Sequence, residues 1–155
     1  MSLSRREGQL ARMPAERHRC RRFVPGALGG TIAAEAKWVD FALLLGSAQN
    51  GEIPPGGDVD LAVFAKAGET INWDRIAGLM LIVEDSCGAP CDLGILNTAG
   101  PVYRFEALRG RRLFVRPENL ENYVDFYVRT CREYEEYGVT LNNWRKQRNS
   151  VMRET

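Results

Sequence analysis

The chain has 155 residues and a mass of 17.4 kDa, the length of one domain able to bury a core. Its 45% hydrophobic and 26% charged residues exclude wholesale disorder, and no run nears the ~20 apolar residues of a membrane-spanning helix. A net charge of +1 supplies no global field for nucleic acid or an anionic membrane, so neither is an expected partner.

The near-zero sum hides an asymmetry. Residues 1–22 hold Arg5, Arg6, Arg12, Arg17, Arg19, Arg21 and Arg22 against Glu7 and Glu16, while the rest of the chain is mildly acidic. Residues 1–29 read as a basic N-terminal arm. A basic arm can touch nucleic acid or an acidic partner, but this one has no apolar period and carries Pro14, which favours an unstructured leader. No apolar stretch follows the arginines, so it is not expected to be a secretory signal.

In chain order, PGALGG up to Gly30 reads as a breaker and as the border of the folded body, residues 30–155. Residues 31–39 form an expected helix with Thr31 as N-cap. Phe41–Leu45 is a short apolar run ending at Gly46, an expected buried strand. Residues 51–57, rich in proline and glycine, form a loop, and residues 58–64 a second strand. Apolar residues at Ile71, Ile76, Leu79, Met80 and Val83 mark a helical face over 71–85. A strand over 90–96, a helix over 101–108 and a strand over 112–115 follow. Pro117 opens a long helix expected to stop at Gly138, with one short helix over 140–148. The order predicts an α+β fold, a mixed sheet with helices packed on it.

Chemistry is narrowed first by what is scarce. Cys20, Cys87, Cys91 and Cys131 make no C-x2-C pair, and the single histidine, His18, lies in the arm. A structural zinc site and a histidine-based triad are therefore disfavoured. Four scattered cysteines fit reduced thiols and a cytoplasmic location. The remaining catalytic candidates are carboxylates.

Asp58 and Asp60 stand two apart at the start of the second strand, so their carboxylates share a face. Adjacent carboxylates repel unless a proton or cation sits between them. Magnesium takes such oxygen donors and keeps substrate phosphates in its shell. Gly46 and Ser47 precede them at a strand end, where a bare backbone and a hydroxyl suit a phosphate. Asp92, in the next strand, can join the pair if the two strands are neighbours. Three convergent acids and a phosphate-binding turn describe two-metal phosphoryl or nucleotidyl transfer.

The run LLLGSAQNGEIPPGGDVDLAVF, followed by CDLGILN, resembles the minimal nucleotidyltransferases of the polymerase-beta-like superfamily. PVYRFEALRGRRLFV and DFYVRTCREY extend the likeness over about residues 30 to 137. The resemblance implies that Gly46 and Ser47 hold the phosphates of an NTP, with ATP the expected one. It implies that Asp58 and Asp60 bind two Mg2+ ions, and that Asp92 binds the catalytic ion and helps deprotonate an acceptor hydroxyl. The family often reads G-S-R-A-R-G where this chain has Gly46-Ser47-Ala48-Gln49-Asn50-Gly51. Both arginines are missing, which implies weaker nucleotide affinity unless a cation such as Lys66 or Arg104 substitutes.

Short members of this family are commonly antitoxins paired with a HEPN-type toxin, so the resemblance implies such a partner, with a toxin tyrosine as acceptor. A homo-oligomer stays open. Two other readings also stay open: a binding module that neutralises its partner by contact alone, and a transferase acting on a small antibiotic. Against the last, the residues after Tyr137 are few for a substrate domain. Tyr123, Tyr127, Tyr134 and Tyr137 recur at helical spacing and are expected to pack against the sheet, and Trp38 and Trp73 to pack in core or rim rather than stack on a base. Glu133, Glu135 and Glu136 read as a solvated face. The R-x5-H of Arg12 and His18 lies in the arm and is set aside.

Overall fold

The computed structural model describes residues 20–154. The basic arm up to residue 19 lies outside the described residues, as do His18 and the R-x5-H. Strand β1 (Arg21–Arg22) precedes helix α1 (Pro25–Glu35), and β2 (Val39–Leu45) runs into a 3-10 turn over Gly46–Asn50. Then come β3 (Glu52–Ile53), β4 (Val59–Ala65), α2 (Trp73–Cys87), β5 (Cys91–Ile95), α3 (Pro101–Leu108) and β6 (Arg111–Val115). A 3-10 turn at Pro117–Asn119 leads into α4 (Leu120–Glu154).

Four strands form one sheet in the order β5-β4-β2-β6, and β1 pairs with β3 in a separate two-stranded ribbon. Only the β4–β5 pair is parallel, with α2 as its crossover; β2 runs antiparallel to both neighbours. Helices cover both faces, so the central strands are apolar on both sides. On one face Ala42, Leu44, Leu61 and Val63 pack beneath Leu28 and Ile32 of α1 and Leu79 and Val83 of α2. On the other, Phe41, Leu43 and Ala62 pack with Ala107 of α3 and Phe126 of α4. Phe41 stacks on Phe64 at 5.0 Å between ring centroids and meets Tyr123 edge-on. The mixed α+β architecture is the one the element order predicts.

Two expectations about punctuation fail. PGALGG is no breaker: Pro25 occupies the first turn of α1, where a missing N–H costs nothing. Gly29 is pressed to within 2.8 Å, at its virtual Cβ, of the Leu113 carbonyl, so its bareness serves helix–strand packing. Thr31 is accordingly mid-helix, its hydroxyl donating to the Ala27 carbonyl at 3.1 Å, and does not cap. Nor does Gly138 stop the last helix, which runs unbroken to Glu154 and absorbs the helix expected over 140–148. Gly138 keeps a negative φ, and no proline follows to end the helix, so its low propensity costs only about 1 kcal/mol.

The remaining expectations about packing divide. Tyr134 stacks on Phe105 of α3 at 3.9 Å and Tyr123 meets Phe41, whereas Tyr127 and Tyr137 stay exposed. Trp38 is buried in the core, but Trp73, at the start of α2, is exposed. Glu135 and Glu136 are solvated as expected, while Glu133 lies 3.6 Å from Arg104.

Candidate active site

The register of the sheet assembles the acids. Asp60 pairs directly with Asp92 across the parallel β4–β5 ladder, and Leu45, the last residue of β2, pairs with Asp60 on its other side. Residues paired in register project to one face, so both carboxylates lie on the face shared with Phe41, Leu43 and Ala62. Asp58 stands one residue before β4, on the chain's approach to it. Its carboxylate still converges: Asp58, Asp60 and Asp92 each offer an oxygen within 4.8 Å of the others. Asp58 and Asp92 are exposed and Asp60 is half-buried. The two strands are neighbours, the arrangement in which Asp92 can join the pair.

Gly46 leads directly from β2 into this cluster. Its φ of +66° is in the left-handed region, and a Cβ there would stand 2.5 Å from the Asp60 Oδ2. Both facts require glycine. Ser47 follows, exposed, within the same turn. Gly46→Ala is therefore expected to cost about 1–2 kcal/mol from the φ alone and to displace the Asp60 carboxylate. Urea denaturation and metal titration of the variant read the two effects separately.

The three acids have no cation beside them: none takes part in the ion pairs among the described residues. Burial first, and then the charges of Asp58 and Asp92, push the Asp60 carboxyl above its usual range. Uncompensated hard oxygen donors with water access fit a magnesium-type cation, and the residues present suit that group. The thiols do not compete. Cys87 and Cys91 are buried on the opposite face, and burial pushes them up to about 11 and about 12, so they stay protonated.

Neither cation suggested for the missing arginines serves the turn. Arg104 donates to the carbonyls of Leu96 and Asn97 at 3.0 Å and lies over the Phe126 ring, so it holds the β5–α3 connection together. Lys66 follows the end of β4, about 20 Å of strand from Asp60. The arginine that does reach the turn is Arg111 of β6, whose Nη1 donates to the Gln49 carbonyl at 3.1 Å. Spacing alone did not reveal it, because only the β2–β6 pairing brings residue 111 beside residue 49. Nor does spacing point to Tyr103 of α3, which stands over Gly94 of β5 and feels the charge of Asp92.

The comparisons with known proteins bear on the family and the fold. Residues 31–119 match the family model described as polymerase beta, nucleotidyltransferase, and the chain belongs to that family. None of the curated proteins matches it. Among solved structures, a tyrosine mutant of the toxin-antitoxin MntA-HpeT superposes with a TM-score of 0.61 at 19% identity, covering 84% of this chain and 99% of that one. A toxin-antitoxin structure with AMP-PNP gives 0.61 at 19% identity, covering 83% and 98%. The tri-AMPylated Shewanella oneidensis HEPN toxin in complex with MNT antitoxin gives 0.56 at 18%, covering 83% and 99%. At these identities the likeness is one of fold. No helix among the described residues is long and apolar enough to cross a membrane.

Proposed function

We propose that the chain is a Mg-dependent nucleotidyltransferase that moves a nucleoside monophosphate from an NTP, ATP in the first instance, to an acceptor hydroxyl. The observation that carries the reading is the convergence of Asp58, Asp60 and Asp92 beside the Gly46-Ser47 turn. Asp58 and Asp60 would hold two Mg2+ ions and Asp92 the catalytic one of them. When bound, the ions supply charge neutralisation for the triphosphate and a lowered pKa for the acceptor hydroxyl.

The chain's own residues perform the rest. Gly46 leaves the backbone bare where the phosphates approach, and the Ser47 hydroxyl donates to a phosphate oxygen. Asp92 accepts the acceptor's proton as its oxygen attacks the α-phosphorus and pyrophosphate leaves. The acids stand at the end of the sheet where β4 and β5 begin, and two of the three are exposed, so the acceptor can arrive as part of a macromolecule. By analogy with the AMPylated toxin complex, the acceptor is a tyrosine on a HEPN-type toxin.

The test combines this chain, a HEPN-type toxin encoded beside it, α-labelled ATP and Mg2+. Label on the toxin, lost in Asp58→Ala, is the expected result; an unlabelled toxin overturns the toxin as acceptor, and no transfer to any protein overturns the enzyme reading. A second reading, neutralisation by contact alone, is favoured by one observation: Ala48, Gln49 and Asn50 supply no cation at the turn. It predicts that Asp58→Ala still inhibits the toxin in full.

A further inference from the structure

One hydroxyl beside the acids has no part in the reaction above. Asp92 and Gly94 project from β5 to the same face, about 7 Å apart. Tyr103, in the first turn of α3, covers Gly94 so closely that a Cβ at 94 would collide with its hydroxyl and stand 2.6 Å from the ring Cζ. The phenol is thereby held next to the acid cluster on the acid cluster's own face. Burial first, then the charges of Asp92 and Asp60, keep its proton on more firmly than in a free tyrosine.

Packing over a glycine needs only the aromatic ring. A phenylalanine ring would still lie over Gly94, though without the hydroxyl that is the atom nearest it, and would bring no polar group toward two carboxylates. The hydroxyl makes no hydrogen bond among the described residues, and the side chain is 40% exposed. Held in that place, it can offer its oxygen to a nucleotide lying between Gly46 and Asp92. An acceptor oxygen fixed on the same chain needs no encounter, and well-oriented intramolecular attack gains several powers of ten over a bimolecular one.

We propose that Tyr103 is a self-modification site: with no partner docked, the chain transfers a nucleoside monophosphate from NTP to its own Tyr103. The proposal rests on the nucleotidyltransferase reading. The Tyr103 Oη attacks the α-phosphorus and forms the new O–P bond. The α–β bridging P–O bond breaks, pyrophosphate departs with its electron pair, and the phenolic proton passes to Asp92. The product fills the place an incoming acceptor hydroxyl would take, so modification closes the site until the adduct is removed.

The experiment uses the full chain with Mg2+ and α-labelled ATP, without any partner, followed by peptide mapping. One nucleoside monophosphate per chain on the peptide holding Tyr103 is expected, at a fractional rate independent of chain concentration, and at least tenfold less label in Tyr103→Phe. An independent readout is acetylation of Tyr103 by N-acetylimidazole, which α,β-methylene-ATP, a nucleotide that cannot release pyrophosphate, should slow. Label on a toxin partner in parallel but none on this chain overturns self-modification and leaves the enzyme reading standing. Label that persists in Tyr103→Phe, or maps to another peptide, overturns it as well. Label on neither protein overturns both readings, whether or not acetylation is slowed.

Discussion

Asp60→Asn is expected to lower nucleotidyl transfer by at least a hundredfold while leaving the fold intact. Asp60 is the middle acid of the three: it is paired in register with Asp92 and stands two residues from Asp58. It is also the one that Gly46 is shaped to admit. An asparagine keeps the size of the side chain and an oxygen donor but loses the charge, and removing one ligand charge from a metal-assisted transfer is a loss of several kcal/mol in transition-state stabilisation. Stability moves the other way. With metal absent, the same change relieves repulsion among three acids that no basic group offsets, so the melting temperature should hold or rise by up to about 3 °C, the shift that ~1 kcal/mol produces in a domain of this size. A transfer assay and a thermal melt on the same preparation check both halves. A fall of several degrees would show that Asp60 is structural and would remove it from the site.

Much of the site was legible because strand periodicity is short-range. Asp58, Asp60 and the glycine–serine step before them sit within fifteen residues, and period-two geometry suffices to put the two aspartates together. Asp92 required one long-range assumption, that β5 lies beside β4, and the parallel pairing supplies it. The parts that were not legible depend on how the elements pack, whether the partners are far apart in sequence or only a turn away. Arg111 meets Gln49 through the β2–β6 pairing, and Tyr103 reaches Gly94 through the packing of α3 on β5. Arg104 illustrates the same limit from the other side: as a bare cation it looks available to a phosphate, yet the fold spends it on the carbonyls of Leu96 and Asn97. The misread glycines have one cause. Gly29 and Gly138 look like breaks, but the left-handed cap by which a glycine commonly ends a helix needs a positive φ, and these two do not take one.

The pH dependence of stability should isolate the acid cluster and reverse with metal. Asp60 has a carboxyl pKa raised in the folded state, by burial first and then by Asp58 and Asp92. A raised folded pKa means that folding is opposed by deprotonation: the group's contribution is most favourable below the unfolded pKa and is lost as pH rises through the folded value. The total stability mixes this with every other carboxylate, so the informative quantity is the difference between Asp60→Asn and the parent. Without metal that difference should favour the variant at neutral pH. It should shrink as pH falls through the raised pKa, and vanish near and below the ordinary aspartate value of about 4, where Asp60 is neutral in both states. Adding Mg2+ at neutral pH should invert its sign. The cation binds the folded parent and adds about 1.4 kcal/mol at tenfold its dissociation constant, whereas the variant, one charge short, gains less. Thermal melts of both proteins across pH, with EDTA and with millimolar Mg2+, give all four quantities. A difference that is flat with pH would show that Asp60 is not held under repulsion, and one that ignores Mg2+ would show that the three carboxylates do not share a cation.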